Sequence, residues 1–388
     1  MIKDMIRKNQ RCISPVEMQI IINSRIFWRE QAAWIKSFID AEYFNLEISE
    51  EIFSHLYNIP AKFSNSLRLI FGGVIAEQYG HMLSQNIVLI RELIEAQEDN
   101  DVEAMNQIVN DLYLLADQRA AYLDSINPFW DENQWRNLLY TYLYLTIQQG
   151  NALLLGDYDG CIRLFDRLLV HADLMGDYFS SGLYSYLTLM SPYANQQRIE
   201  DPTEPCITYE MMNLIYNIRL SWMDLALWTR NYAIFSTVNH EYAEQAYNKL
   251  RQIPMQYDDL LKTVFDAELV DELTAVVYEQ VDLINALITS QMVGDIEEAN
   301  KVVHLLYQNI DKRADVNARM NPYINRDSWK NILHNYMDAT ISEIVSYLAG
   351  DYERNIAIFQ RLIDQTELVN KEFSEAMVEY LLQNNKVI

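Results

Sequence analysis

Cysteine is nearly absent from the chain: Cys12, Cys161 and Cys206 form no C-x-x-C and cannot all pair, the pattern a reducing compartment leaves. Cys12 and Cys206 read as small buried residues near helix starts rather than as redox partners. Basic residues are also short, 30 Lys and Arg against 55 Asp and Glu, for a net charge of −25. Binding to a phosphate backbone rests on clustered Lys and Arg, so nucleic acid is excluded as a partner. Acidity is compatible with a cationic partner or loosely held divalent metal, and solubility explains it as well. No apolar run exceeds a few residues, and neither an apolar core nor a small-residue cleavage site follows the basic first eleven positions. That pattern predicts neither export nor membrane insertion, and a cytoplasmic protein is expected. Also missing are G-x-S-x-G, a phosphate-cradling glycine loop, H-E-x-x-H and a cysteine in a nucleophile context.

What is present is a sequence written twice. The run Asn127-Pro128-Phe129-Trp130-Asp131-Glu132-Asn133-Gln134-Trp135 returns as Asn321-Pro322-Tyr323-Ile324-Asn325-Arg326-Asp327-Ser328-Trp329, displaced by 194 positions, half of the 388. The same offset sets Trp28 on Trp222, Trp34 on Trp228, Pro60 on Pro254 and Gly156-Asp157-Tyr158 on Gly350-Asp351-Tyr352. With 50% hydrophobic and 22% charged residues the composition is globular, and each half is long enough to bury its own core. The expected fold is all-α: two tandem antiparallel helical bundles without a sheet, spanning 12–194 and 206–388, joined by a polar linker at 195–205.

Local signals place the helices. Ser14-Pro15-Val16-Glu17 reads as a capping box with proline at the first helical position, and Thr208 caps its counterpart. Helices are expected at 15–41 and 209–236. Breaks are expected at Asn58-Ile59-Pro60 and Gln252-Ile253-Pro254, then long helices over 62–97 and 256–291. The latter should run through Gly72-Gly73, because the second copy has Asp266-Ala267 there. Gly294-Asp295, Gly156-Asp157 and Gly350-Asp351, with Asn100-Asp101 in the same role, read as left-handed helix stops followed by aspartate caps. In the repeated run Asp131 and Asn325 are caps, and Trp130 with Trp135, or Ile324 with Trp329, form a hydrophobic staple. Beyond it the stripe Trp135, Leu138, Leu139, Tyr142, Leu143, Thr146, Ile147 is core, matched by Trp329, Ile332, Leu333, Tyr336, Met337, Thr340, Ile341. On the flank, Tyr140, Tyr144 and Leu145 face His334, Asp338 and Ala339 at paired positions. The more apolar first version is expected to be covered by the other unit or another chain, leaving His334 and Asp338 in solvent.

None of the six histidines falls on another at the offset of 194, and no Glu-x-x-His pair of the di-iron kind occurs. The candidate metal ligands are Glu77 with His81 and His334 with Asp338, each four apart on a helix. No catalytic residue and no cofactor is expected, with iron or another divalent metal as the alternative. Arg25 and Asp117, polar in both copies, are expected to meet as a buried ion pair.

The paired tryptophans of the first helix, the Asn-Pro-aromatic corner and Trp135-Arg136-Asn137-Leu138-Leu139-Tyr140 resemble an uncharacterised, loosely ferritin-like helical-bundle family of endospore-forming bacteria. The resemblance covers both halves. It implies a histidine between the tryptophans and a Glu-His on a later helix; here those places hold Gln31 and Leu225, and Gln85-Asn86 and Glu279-Gln280. If the relatives bind metal, this chain has lost the ligands. The expected function is a non-enzymatic structural or protein-interaction module with a protein partner or self-association; the alternative is a degenerate ferritin-like protein binding iron or another divalent metal.

Overall fold

The computed structural model describes residues 12–190 and 207–384. Among the described residues, the regular structure apart from one two-residue strand pair is twelve α-helices. After β1 (Cys12–Ile13) come α1 (Pro15–Tyr43), α2 (Ser49–Phe71), α3 (Gly73–Glu98), α4 (Val102–Ile126), α5 (Glu132–Leu154) and α6 (Tyr158–Leu189). After β2 (Ile207–Thr208) come α7 (Tyr209–Ser236), α8 (His240–Lys262), α9 (Ala267–Met292), α10 (Ile296–Met320), α11 (Arg326–Leu348) and α12 (Tyr352–Gln383). The last four helices of each series begin and end 194 positions apart. Contacts divide the chain into two compact units, Pro15–Glu204 and, as the second, Met1–Ser14 with Pro205–Ile388. The stretch read as a linker lies outside the described residues. No described helix is long and apolar enough to cross a membrane.

The helix ends follow from side chains. Asp101, Asp131 and Asp157 each accept a hydrogen bond from the amide three residues on, as do Thr208, Asp295 and Asn325 in the second series. Each satisfies an amide that has no partner within its helix. Gly156, Gly294 and Gly350 take positive φ, and Asn100 does the same work at φ 55°. Asp351 caps no amide with its side chain and lies 4.0 Å from Arg354 instead.

Four expectations need correction. The prolines do not break the chain: Pro60 lies inside α2 and Pro254 inside α8. An interior proline costs roughly 3 kcal/mol, and burial of Ile59 and Ile253 beside it offsets that. The breaks come later. Gly72 adopts φ 87°, and Asp266 is an N-cap accepting from Glu268 and Leu269 rather than a mid-helix residue. A sheet does exist, the antiparallel pair Cys12–Thr208 and Ile13–Ile207, which joins β1 to the second unit. Finally, Cys12 is disulfide-bonded, its partner lying outside the described residues, while Cys161 is a buried thiol.

Each unit packs around tryptophans. In the first, Trp28 meets Trp135 at 6.2 Å and Tyr142 at 6.5 Å between ring centroids. In the second, Trp222 meets Trp329 at 6.1 Å and Tyr336 at 5.3 Å. The staple forms as an edge-on contact of Trp130 with Trp135 at 5.9 Å, both buried. Flank residues do not differ as expected. Tyr144 is 50% exposed and Asp338 is exposed too, while Leu145 and Ala339 are both buried. Tyr140 and His334, both half-buried, bond the paired aspartates Asp117 and Asp311 at 2.9 and 2.7 Å. The tyrosine therefore needs no cover: its hydroxyl does the work of the imidazole.

Candidate functional site

The candidate metal ligands do not converge. Glu77 pairs with Arg68 at 2.7 Å, and His81 lines an open groove with Tyr57 and Asp111. His334 bonds Asp311 and stacks on Tyr307 at 5.4 Å, and the Tyr307 hydroxyl donates to Asp338. Glu77, His334 and Asp338 thus each have another partner, on a neighbouring helix. Among the described residues no three His, Cys, Asp or Glu side chains gather as metal ligands. Nor do Arg25 and Asp117 meet: Arg25 grips Asp177 of α6 with two bonds of 2.6 and 2.9 Å, and Asp117 belongs to Arg136 and Tyr140.

The feature that stands apart is a cavity of about 50 Å³ in the second unit, walled by α7, α8, α9, α10, α12 and the corner before α11. Trp222, Leu225, Leu273 and Phe265 supply apolar walls, and Arg313 supplies a guanidinium. Arg313 is 4% exposed. Its Nη1 donates to Gln280 at 2.8 Å, its Cζ lies 3.6 Å from the Trp222 ring centroid, and its Nε makes no hydrogen bond. No carboxylate is paired with it. Burial pushes its pKa down to about 9, with the Tyr336 phenol opposing, so it is still charged at neutral pH. A buried cation without an anion carries a desolvation penalty of several kcal/mol, and a cation–π contact returns only about 2.

Several other polar groups of the wall are occupied. Tyr257 donates to Asp224, Ser221 to the Ile218 carbonyl, and Thr274 to Asp258, which also pairs with Lys262. Burial raises the Asp258 pKa, but bonds from Lys262 and Thr274 outweigh it and hold the carboxyl below its ordinary value. Asn317 accepts from the Trp329 indole at 3.1 Å. Arg313 Nε and Asn321 Nδ2 are enclosed donors of these residues that make no hydrogen bond.

The paired positions of the first unit explain why the cavity lies where it does. Phe27, Tyr79 and Trp130 stand where the second unit has Ser221, Leu273 and Ile324. Phe27 stacks on Phe63 at 3.8 Å, Trp130 stacks on Phe179 at 4.9 Å, and the Tyr79 hydroxyl accepts from Arg119, the partner position of Arg313, at 3.5 Å. Three large-to-small differences empty the second core and strip its arginine of a hydroxyl. Of the places where the resemblance implied metal ligands, Leu225 lines this cavity and Gln280 holds Arg313. Sequence reasoning missed the cavity. The signal was available as loss of side-chain volume at positions 194 apart.

Compared with protein-family models, curated proteins and solved structures, the chain matches none of them.

Proposed function

We propose that the chain is one helical unit written twice as two antiparallel bundles, and that it works without catalysis as a binding module. In this reading the first copy is a filled scaffold and the second holds a small molecule. The recurrence of helix bounds at 194 supports the duplication. The observation that carries the binding role is the cavity beside Arg313, at positions that Phe27, Tyr79 and Trp130 fill in the first copy. Selection for stability alone favours filled cores, since each lost methylene costs about 1 kcal/mol.

Xenon is a direct probe, because it enters apolar cavities without needing a polar partner. The ¹²⁹Xe resonance of a xenon-saturated solution should shift with wild-type concentration beyond the shift from surface contact. Ser221→Phe, Leu273→Tyr and Ile324→Trp together, which install the first unit's residues, should remove that excess. Equal responses from the two proteins would end the reading. The divalent-metal alternative has no group of three ligands among the described residues to rest on. Stoichiometric iron, manganese or zinc in protein purified without chelator would nonetheless displace the proposal.

A further inference from the structure

Where α8, α9 and α10 adjoin at the surface of the second unit, two ion pairs cross between helices: Arg251 with Asp282, and Lys312 with Glu279 at 3.0 Å. The positions 194 earlier hold Tyr57, Val88, Gln118 and Gln85, none of which carries a charge. Exposed ion pairs add little stability, so their loss costs the first unit's fold little. It does change the surface. There α2, α3 and α4 leave an open groove of about 450 Å³, walled by Tyr57, Val88, Leu89 and Leu114, with Tyr57 48% and Leu114 56% exposed. Apolar surface left open in a concave groove marks a binding face.

Charge decides the occupant. With a net charge of −25, two copies of this chain repel each other and approach best through a face with little charge. Among its uncharged residues this groove is lined by one acid, Asp111, and one histidine, His81. Asp111 accepts from Gln107 at 3.0 Å, and among the described residues no cation is paired with it. A twofold axis sets a patch against itself, so that residue i meets j and j meets i. One acid and one imidazole per copy are therefore self-complementary, each imidazole donating to the carboxylate of the other copy. We propose that the chain pairs with a second copy of itself through this groove, His81 of each copy against Asp111 of the other and the apolar walls buried between them. The second unit, whose paired face is crossed by ion pairs, has no such surface to offer. This inference is independent of the cavity in the second unit.

The test is sedimentation velocity of the full chain over a concentration series, in which the wild type should pass from monomer to dimer. Tyr57→Arg with Val88→Asp, which writes the second unit's Arg251–Asp282 pair into the first, should raise the dissociation constant at least about tenfold, because the interface must then desolvate two charges. Leu114→Gln, the second unit's residue at an exposed position, should weaken the dimer without touching the core. Circular dichroism and thermal melts should show these variants folded. His81→Asp sets acid against acid across the twofold and should weaken the dimer; adding Asp111→His exchanges the two groups and should bring the constant back to the wild-type value. A surface that is merely sticky does not recover in this way. A wild type that stays monomeric at every concentration overturns the proposal. So does a dimer indifferent to Tyr57→Arg with Val88→Asp and to Leu114→Gln, or one that the exchange fails to restore. Any of these failures leaves the cavity reading standing, since xenon uptake does not depend on self-association.

Discussion

The buried cation near the end of the first helix shows how differently the two units solve one problem. In the first unit Lys36 is almost wholly enclosed and is neutralised from its own helix by Asp40, one turn on, with Phe165 5.9 Å beneath the ammonium. In the second, Arg230 occupies the paired position and Ile234 stands where the aspartate was. The acid comes instead from α11, where Glu343 bonds Arg230 at 2.5 Å, and Asn355 of α12 ties both. The paired first-unit residues are Gln149 and Cys161. Either arrangement sets a cation over a phenylalanine and beside a carboxylate, but in the second the carboxylate comes from another helix, so that α7, α11 and α12 are tied together there. Position is kept and the partner has moved, which means that charge balance, rather than any one contact, constrains this site.

The largest effect should come from breaking that balance. Glu343→Ala takes the carboxylate from a buried guanidinium and should cost the second unit about 3–5 kcal/mol, read as the shift of its transition in urea. Asp40→Ala should do the same to the first. The comparison sharpens with Glu343→Gln and Ile234→Asp combined, which writes the first unit's solution into the second: stability should return relative to Glu343→Gln alone. If the double variant is no more stable than the single one, the two positions are not interchangeable and the pairing by offset fails there.

Next come the corner tryptophans. Trp135→Ala and Trp329→Ala each remove a large buried side chain and should cost about 3–5 kcal/mol in their own unit. Phenylalanine separates them. The Trp135 indole nitrogen has no partner, whereas that of Trp329 donates to Asn317, which occupies the place of Leu123. Trp329→Phe therefore strands a buried amide oxygen and should cost about 1–3 kcal/mol more than Trp135→Phe. Equal losses would mean that water reaches Asn317.

How much of this was legible follows from which signals are local. The corner, its caps and its staple were readable because cap, staple and stop are encoded within nine consecutive residues. The aspartate caps after Asn100, Gly156 and Gly294 were readable for the same reason. Pro60 misled because proline's local penalty was weighed without the burial around it, and Gly72 because its counterpart Asp266 was taken for a helix residue when it is a cap. Arg25 was matched to Asp117 when Asp177 was its partner, since nothing local says which helices adjoin. The cavity escaped because it is made of absences spread over a hundred positions, from Ser221 to Ile324.

The smallest expected effect is also the most selective. His171 of α6 bonds the Leu138 carbonyl at 2.7 Å, and its paired position holds Gln365, which does not titrate. Burial lowers the pKa of His171 below 6.5, with the carbonyl bond partly opposing. Above the unfolded value both states are neutral and the contribution to stability is fully present. As pH falls through 6.5 the unfolded chain takes up the proton first, so that contribution is lost progressively down to the lower folded value. Between about pH 5 and 6.5 most carboxylates have not begun to titrate, so the window belongs largely to histidine. The first unit's urea midpoint should therefore fall across this window, and His171→Gln, which writes in the second unit's residue, should flatten that fall while leaving the second unit's midpoint untouched. Parallel pH profiles for wild type and variant would mean that the imidazole is neutralised equally in both states, and the two positions would then differ only in name.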